Sequence, residues 1–384
     1  MTGREIHLFK PTFDIDECLS EIRECLTQGW TGLGFKTVEF EKKWCEYTKL
    51  PYAHFLSSAT AGLHLAVNIF KHKYAWRDGD EIISSPLTFV STNHAVIYEN
   101  MKVKFADVDK YGCLDPNSVL QLISPRTKAV IFVGLGGNVG QYDRIVEICR
   151  SNGLKLILDA AHMAGTRYRG RHVGHDADAA VFSYQAVKNL PTADSGMICF
   201  ADQSDDAVCR QLSWLGISKD TYSRTHGHSA YKWQYEVDHV GFKYHGNSIM
   251  AAIALVQLRH LDRDNAYRRQ LAIWYDEAFA GTSVEVIETS PGCESSRHLY
   301  QVLLDNRDAA ILALNSVGIF PGVHYRDNTE YSVYLDSAKG CPVANRTSDR
   351  LLSLPMHLRL SREDVQFVAK QVIDFTTRNN AVSA

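Results

Sequence analysis

A chain of 384 residues exceeds what one compact core usually serves, so two domains are expected. Hydrophobic residues at 45% and charged residues at 22% describe an ordinary globular protein and exclude a disordered chain. The formal net charge of −3 leaves no electrostatic footprint for nucleic acid or for an anionic membrane surface.

No apolar run approaches the roughly 18 residues of a membrane-spanning helix, and the opening MTGREIHLFKPTFDIDE lacks the apolar stretch of a secretory signal. Nine cysteines, with no C-x-x-C pair and no metal-ligand spacing, read as reduced buried thiols of a cytoplasmic protein without a metal site.

Along the chain, Ile15, Leu19, Ile22 and Leu26 recur at helical spacing and predict an amphipathic helix over 14–26. GWTGLG at 29–34 reads as a loop, and helix resumes over 38–47. Short apolar runs then follow at 54–56, 81–84, 103–108, 129–133, 154–158, 179–183 and 197–200. Their length and β-branched content favour strands, and most are apolar throughout, as strands covered on both faces must be. Helical patterns lie between several of them, at 61–70 and 144–151 for example. Such alternation implies an α/β fold with a mainly parallel sheet between helical layers, its functional loops at the carboxyl ends of the strands.

From about residue 248 the pattern changes to one or two long helices over 249–278. Strands at 284–287 and 298–304 and helices at 309–317 and 362–375 follow. A large domain over 1–260, including the N-terminal segment, and a smaller α+β domain over 261–384 are expected.

Three features could carry chemistry. In KLILDAAHMAG a buried strand ends in Asp159, where ligands bind in such sheets, although an Asp there also caps turns. Lys188, in FSYQAVKNL after the next strand, could form a Schiff base opposite that acid, or be a solvated surface lysine. The small residues of Ser57-Ser58-Ala59-Thr60-Ala61-Gly62 open a helix and could receive an anion, or simply cap it. There is no Walker lysine, and Gly134-Leu135-Gly136-Gly137 is not a dinucleotide fingerprint.

Over nearly its whole length the sequence resembles the sugar aminotransferases of the DegT/DnrJ/EryC1/StrS family, within the aspartate-aminotransferase fold type. The resemblance rests on segments in the family's order: GFKTVEF at 34–40, SSATAGLHLA at 57–66, PLTFVST at 86–92, DAAHMAG at 159–165 and VFSYQAVKNLPTADSGM at 181–197. RHLYQVLL, GIFPGVHY and LLSLPMH continue it toward the C-terminus. It implies a three-layer large domain with a mixed, mainly parallel seven-stranded sheet, a smaller C-terminal α+β domain, and pyridoxal 5'-phosphate as cofactor.

The resemblance also implies roles. Lys188 would hold the cofactor and move the proton, and Asp159 would pair with the pyridine nitrogen. Phe89 would lie on the ring, and Ala59, Thr60 and Ser183 would donate to the phosphate. His162 would reach the ring's phenolate oxygen, or be a buried structural histidine. The amino donor implied is L-glutamate and the acceptor a keto- or aldehydo-sugar of surface polysaccharide or lipopolysaccharide synthesis. Nucleotide-linked keto-hexoses and the precursor of 8-amino-3,8-dideoxy-manno-octulosonate are both candidates.

Three departures from the family pattern stand out. The glycine-rich stretch after the lysine is replaced by Thr192-Ala193-Asp194-Ser195-Gly196, leaving only Gly196 free to take positive φ. WQYEVDHVGFKYHGNSIMAA at 233–252 resembles the segment that crosses a dimer interface to the neighbouring cofactor, which implies a homodimer with shared sites. Within it Lys243, His245 and Gly246 replace Asn, Arg and Met, so Lys243 could bind a phosphate or an anionic substrate. Finally, Arg326 follows His324-Tyr325, and His324, Arg326 and Lys243 together could bind a carboxylate or phosphate of the acceptor. Family members that dehydrate sugars replace the lysine by histidine, so Lys188 favours amino transfer over dehydration. A regulatory protein that keeps the fold without catalysis is the remaining alternative.

Overall fold

The computed structural model describes residues 5–218, 235–337 and 340–383. Strand β1 (Ile6–His7) precedes helix α1 (Ile15–Gln28), which begins at Asp14, whose carboxylate accepts from the Glu17 N–H. It ends at Gly29, whose φ of 72° a side chain would disfavour. Helix α2 (Phe35–Thr48) leads to β2 (Tyr52–Leu56), and Ser58 caps α3 (Ala59–Lys73) by accepting from the Ala61 N–H.

Strand and helix then alternate through β3 (Glu81–Ser84), α4 (Val90–Ile97), β4 (Lys102–Phe105), α5 (Pro116–Leu122), β5 (Thr127–Val133), α6 (Tyr142–Ser151) and β6 (Lys155–Asp159). A ribbon of β7 (Arg167–Tyr168) and β8 (Arg171–His172) precedes β9 (Ala179–Ser183), β10 (Gly196–Phe200) and α7 (Gln203–Ser213). Helix α8 (Ser248–Phe279) is followed by β11 (Glu285–Val286), β12 (Cys293–Glu294), β13 (Tyr300–Leu303), α9 (Arg307–Ser316) and β14 (Ile319–Phe320). Helix α10 (Pro342–Arg350), β15 (Leu351–Leu354) and α11 (Arg362–Ser383) complete the chain.

Seven strands form the main sheet in the order β2-β10-β9-β6-β5-β3-β4. Only β10 runs against its neighbours, so the sheet is mixed and mainly parallel, as expected. Alternate residues of each strand enter opposite cores. Leu156 and Leu158 join Phe40, Trp44 and Phe132 on one side, while Ile157 joins Leu65, Ile131 and Val181 on the other. This is why these strands are apolar without alternation. A separate apolar cluster in the C-terminal part gathers Leu271, Tyr275, Tyr300, Leu314, Leu352 and Val368.

The long pattern after residue 248 is a single helix, one of the two forms expected, with Leu261 in the first core and Leu271 in the C-terminal one. The tertiary structure adds two things that the chain pattern does not carry. The N-terminal strand leaves the first 260 residues and joins the C-terminal part: Ile6 pairs with Ile319 and packs in that cluster. On α1 the apolar stripe faces outward, with Ile15, Leu19 and Leu26 exposed by 68%, 52% and 61%, and the buried positions are Cys18 and Cys25.

All nine cysteines are free thiols. Among the described residues no helix is long and apolar enough to cross a membrane.

Candidate active site

The register of the main sheet brings the candidate residues to one edge. Asp159 pairs with Val133 on one side and Val181 on the other, so Ser183 ends level with the turn beyond it. Gly196 starts the antiparallel strand between Leu56 and Ser183, beside the turn that opens α3. A cavity of about 460 Å³ opens at this edge.

Gly196 is needed here for a reason other than the positive φ anticipated from sequence. A Cβ on it would lie 2.5 Å from Ala59 N and 2.6 Å from the Ser58 carbonyl carbon. Its missing side chain lets the first turn of α3 close onto the sheet. The backbone N–H groups of Ala59 and Thr60 are thereby held at the cavity wall, where a helix N-terminus favours an anion.

Asp159 is 4% exposed and held by two donors: Thr92 Oγ1 at 2.6 Å to Oδ2 and Ala161 N at 3.1 Å to Oδ1. Burial pushes its carboxyl above the usual range, against these hydrogen bonds and the charge of Lys188. Lys188 lines the same cavity, and burial pulls its ammonium down to about 8, opposed by Asp159. A carboxylate and an amine enclosed together, each displaced toward neutrality, form a chemically poised pair.

His162 follows Asp159 by one turn, and its surroundings settle its tautomer. The Gly136 N–H donates to Nδ1 at 3.1 Å, and burial depresses the imidazole pKa well below normal. The ring is therefore neutral with its proton on Nε2, which faces the Tyr325 hydroxyl at 3.1 Å. The Gly134–Gly137 run is thus a seat for His162, with Gly136 at φ 64°.

His298 donates from Nδ1 to Asn189 Oδ1 at 3.0 Å and stacks on Phe9, ring centroids 5.1 Å apart. His324 pairs with Ser353 Oγ at 3.1 Å, and burial lowers its pKa to about 4. Phe89, half exposed at the start of α4, lies 5.9 Å from the Tyr325 ring. Ser183 and His324 also line the cavity.

Lys243 and Arg326 do not join this group. Arg326 is exposed, pairs with Glu330 at 2.7 Å and stacks against Tyr331, so the acid-binding pair expected with His324 is not assembled. Lys243 lies over the Trp214 ring at 3.3 Å on the outside of its own chain. Gly246, next in that segment, is dictated by Phe55, whose ring would lie 2.2 Å from a Cβ. Residues 233 and 234 of this segment lie outside the described residues.

Several residues of the site were not singled out in the sequence. Thr92, which holds Asp159 without lining the cavity, is one helical turn beyond Phe89 and could have been found by that spacing. Phe9, His298 and Tyr325 come from distant parts of the chain and meet at the cleft only through the tertiary fold. Tyr325 and His298 lie in segments that carry the family resemblance, but nothing in those segments distinguishes them from packing residues.

An enclosed amine, a buried carboxylate, a helix N-terminus and a flat aromatic wall fit the aldehyde, ring nitrogen, phosphate and ring face of pyridoxal 5'-phosphate. Comparison with known proteins agrees. The profile of the DegT/DnrJ/EryC1/StrS aminotransferase family matches residues 14–373. An uncharacterized protein of Methanocaldococcus jannaschii is 30% identical, with 97% of each chain covered.

Among solved structures, the aminotransferase TlmJ from Streptoalloteichus hindustanus is 30% identical, with a TM-score of 0.89 over 97% of this chain and 98% of that one. PseC from Helicobacter pylori, an aminotransferase of pseudoaminic acid biosynthesis, is 26% identical, with a TM-score of 0.90 over 98% and 100%. A putative sugar aminotransferase from Streptococcus pneumoniae, solved in its pyridoxal-phosphate form, is 26% identical, with a TM-score of 0.88 over 98% and 99%. The chain belongs to the DegT/DnrJ/EryC1/StrS aminotransferase family and is a pyridoxal-phosphate-dependent enzyme.

Proposed function

We propose that this enzyme moves an amino group from L-glutamate to a keto- or aldehydo-sugar used in surface polysaccharide or lipopolysaccharide synthesis. The observation that carries the reading is the enclosure of Lys188 with Asp159 in one cavity at the strand ends. The sugar assignment is supported by relatives of that description.

When bound, the cofactor supplies an electron sink for the charge that develops as a proton leaves the amino acid. The chain's own residues do the rest. Lys188 would hold the cofactor through its aldehyde group and would take and return the proton, a task suited to an amine with a pKa of about 8. Asp159, fixed by Thr92 and Ala161, would keep the ring nitrogen protonated by its charge. Ala59, Thr60 and Ser183 would bind the phosphate, Phe89 would cover the ring, and His162 would reach its phenolate oxygen.

The working unit is a homodimer in the cytoplasm. The outward stripe of Ile15, Leu19 and Leu26 supports association, and the nine free thiols suit a reducing compartment. In such a dimer Lys243 would serve the site of a second copy. An acidic acceptor of the octulosonate type, yielding 8-amino-3,8-dideoxy-manno-octulosonate, depends on that lysine, because Arg326 is exposed and paired with Glu330.

Incubating the protein with cofactor, ¹⁵N-labelled L-glutamate and a panel of keto- and aldehydo-sugars tests the reading. The panel includes nucleotide-linked hexoses and the octulosonate aldehyde. Label in one amino-sugar product, with matching 2-oxoglutarate, is expected. Ammonia release without an amino sugar would assign dehydration instead. Elution as an active monomer on size exclusion would remove the dimer.

A further inference from the structure

The loop after Tyr325 enters the protein and ties the two walls of the cleft together through one side chain. Asn328 is 1% exposed, and each of its polar groups is engaged. Its backbone N–H donates to Pro86 O at 2.9 Å. Its Nδ2 donates to Thr88 O at 2.8 Å and to Arg326 O at 3.3 Å. Its Oδ1 accepts from Asn93 Nδ2 at 3.0 Å, and Asn93 also donates to Ser85 O at 3.1 Å.

Each of these contacts leads to the cofactor site. Thr88 precedes Phe89, and its hydroxyl meets that of Thr92 at 2.8 Å. Thr92 in turn donates to Asp159. On the other side, Arg326 follows Tyr325, whose hydroxyl meets His162. Two oxygens of the same knot, Asn93 Oδ1 and Asp327 Oδ2, are buried without a protein partner among the described residues.

We infer that Asn328 is a positioning residue for the cofactor site, holding Phe89 and Tyr325 at their separation and, through the Thr88–Thr92 turn, seating Asp159. The inference rests on the proposed placement of the cofactor ring beside Phe89. Asn328 touches neither substrate nor cofactor. Its amide acts through the backbone of the two wall segments, so its loss changes the grip on the ring more than it changes the fold.

The test compares full-length Asn328→Asp, Asn328→Ser and Asn93→Ala with the wild type. It reads the cofactor dissociation constant by visible absorbance, the melting temperature of the cofactor-free protein, and kcat and KM for the amino donor. Asp matches Asn in size but cannot donate to Thr88 O. About tenfold weaker cofactor binding and a comparable fall in kcat, with KM within about twofold, are expected. Asn93→Ala keeps the Thr88 bond and is expected to weaken binding only about twofold.

Wild-type cofactor affinity in Asn328→Asp would overturn the inference, as would equal losses in Asn328→Asp and Asn93→Ala. If Asn328→Asp does not fold, Asn328→Ser, too short to reach Thr88 O, reads the same quantity. A wild type that takes up no cofactor would instead overturn the reading of the site itself.

Discussion

His162 donates from Nε2 to the Tyr325 hydroxyl across 3.1 Å because the Gly136 N–H already occupies Nδ1. A histidine of the main sheet's edge is thereby joined to a tyrosine of the loop after β14. Tyr325→Phe strands that buried N–H. A stability loss of about 1–2 kcal/mol in denaturant unfolding is expected, with kcat lowered about tenfold. Unchanged stability and rate would show the pair to be idle.

Lys188 must be neutral to attack an aldehyde, and its ammonium titrates at about 8. The rate of cofactor uptake by the free protein, followed by stopped-flow absorbance, should therefore rise through that pH and level off above it. Asp159 holds the lysine's pKa up, so Asp159→Asn should move the midpoint to lower pH. A midpoint in the range of an ordinary lysine would mean the amine is not enclosed.

Asp159 is also a cost to the empty protein, since burial raises its carboxyl pKa. Asp159→Asn keeps an acceptor for Ala161, and the Thr92 hydroxyl can turn to accept from the new amide. The cofactor-free variant should melt about 2–4 °C higher at neutral pH. The difference should shrink as pH falls through the raised carboxyl pKa, where the wild type becomes protonated and the penalty disappears. Activity should fall at least about a hundredfold. A lower melting temperature would place the carboxylate's hydrogen bonds above its desolvation.

Gly196→Ala forces a methyl to within 2.5 Å of Ala59 N. The obstacle is backbone, so the α3 turn must move away from the phosphate position. About 1–3 kcal/mol of stability and about tenfold of cofactor affinity should be lost. Equilibrium dialysis with wild-type affinity would show that the turn has room.

Arg326 and Lys243 separate the readings of the acceptor. Arg326→Ala should leave kcat/KM within about twofold, since the side chain pairs with Glu330 in solvent. Lys243→Ala should raise the KM of an anionic acceptor at least about fivefold while leaving an uncharged keto-sugar unaffected, if a second copy's site uses it. A reversed pattern would return Arg326 to the substrate.

Much of the site was legible because its parts are local. Asp159 ends a strand, Ser58 and Lys188 follow one within a few residues, and the strands announce themselves by apolar runs covered on both faces. Phe9, His298 and Tyr325 were not legible, because nothing local distinguishes a residue that lines a cleft from one that packs a core. The stripe of α1 misleads in the opposite sense. Its periodicity shows that one face is apolar but cannot say whether that face meets its own chain.

By itself, then, the sequence determined the alternation of strand and helix, the small-residue turn, and the acid and the lysine, since these follow from side-chain period and backbone chemistry along a short stretch. Only the tertiary structure decided that Gly196 serves a close approach rather than a turn, that Arg326 faces solvent, and that Asn328 ties both walls of the cleft. Those outcomes depend on which distant backbone comes within a few ångströms, and chain spacing carries no record of that distance.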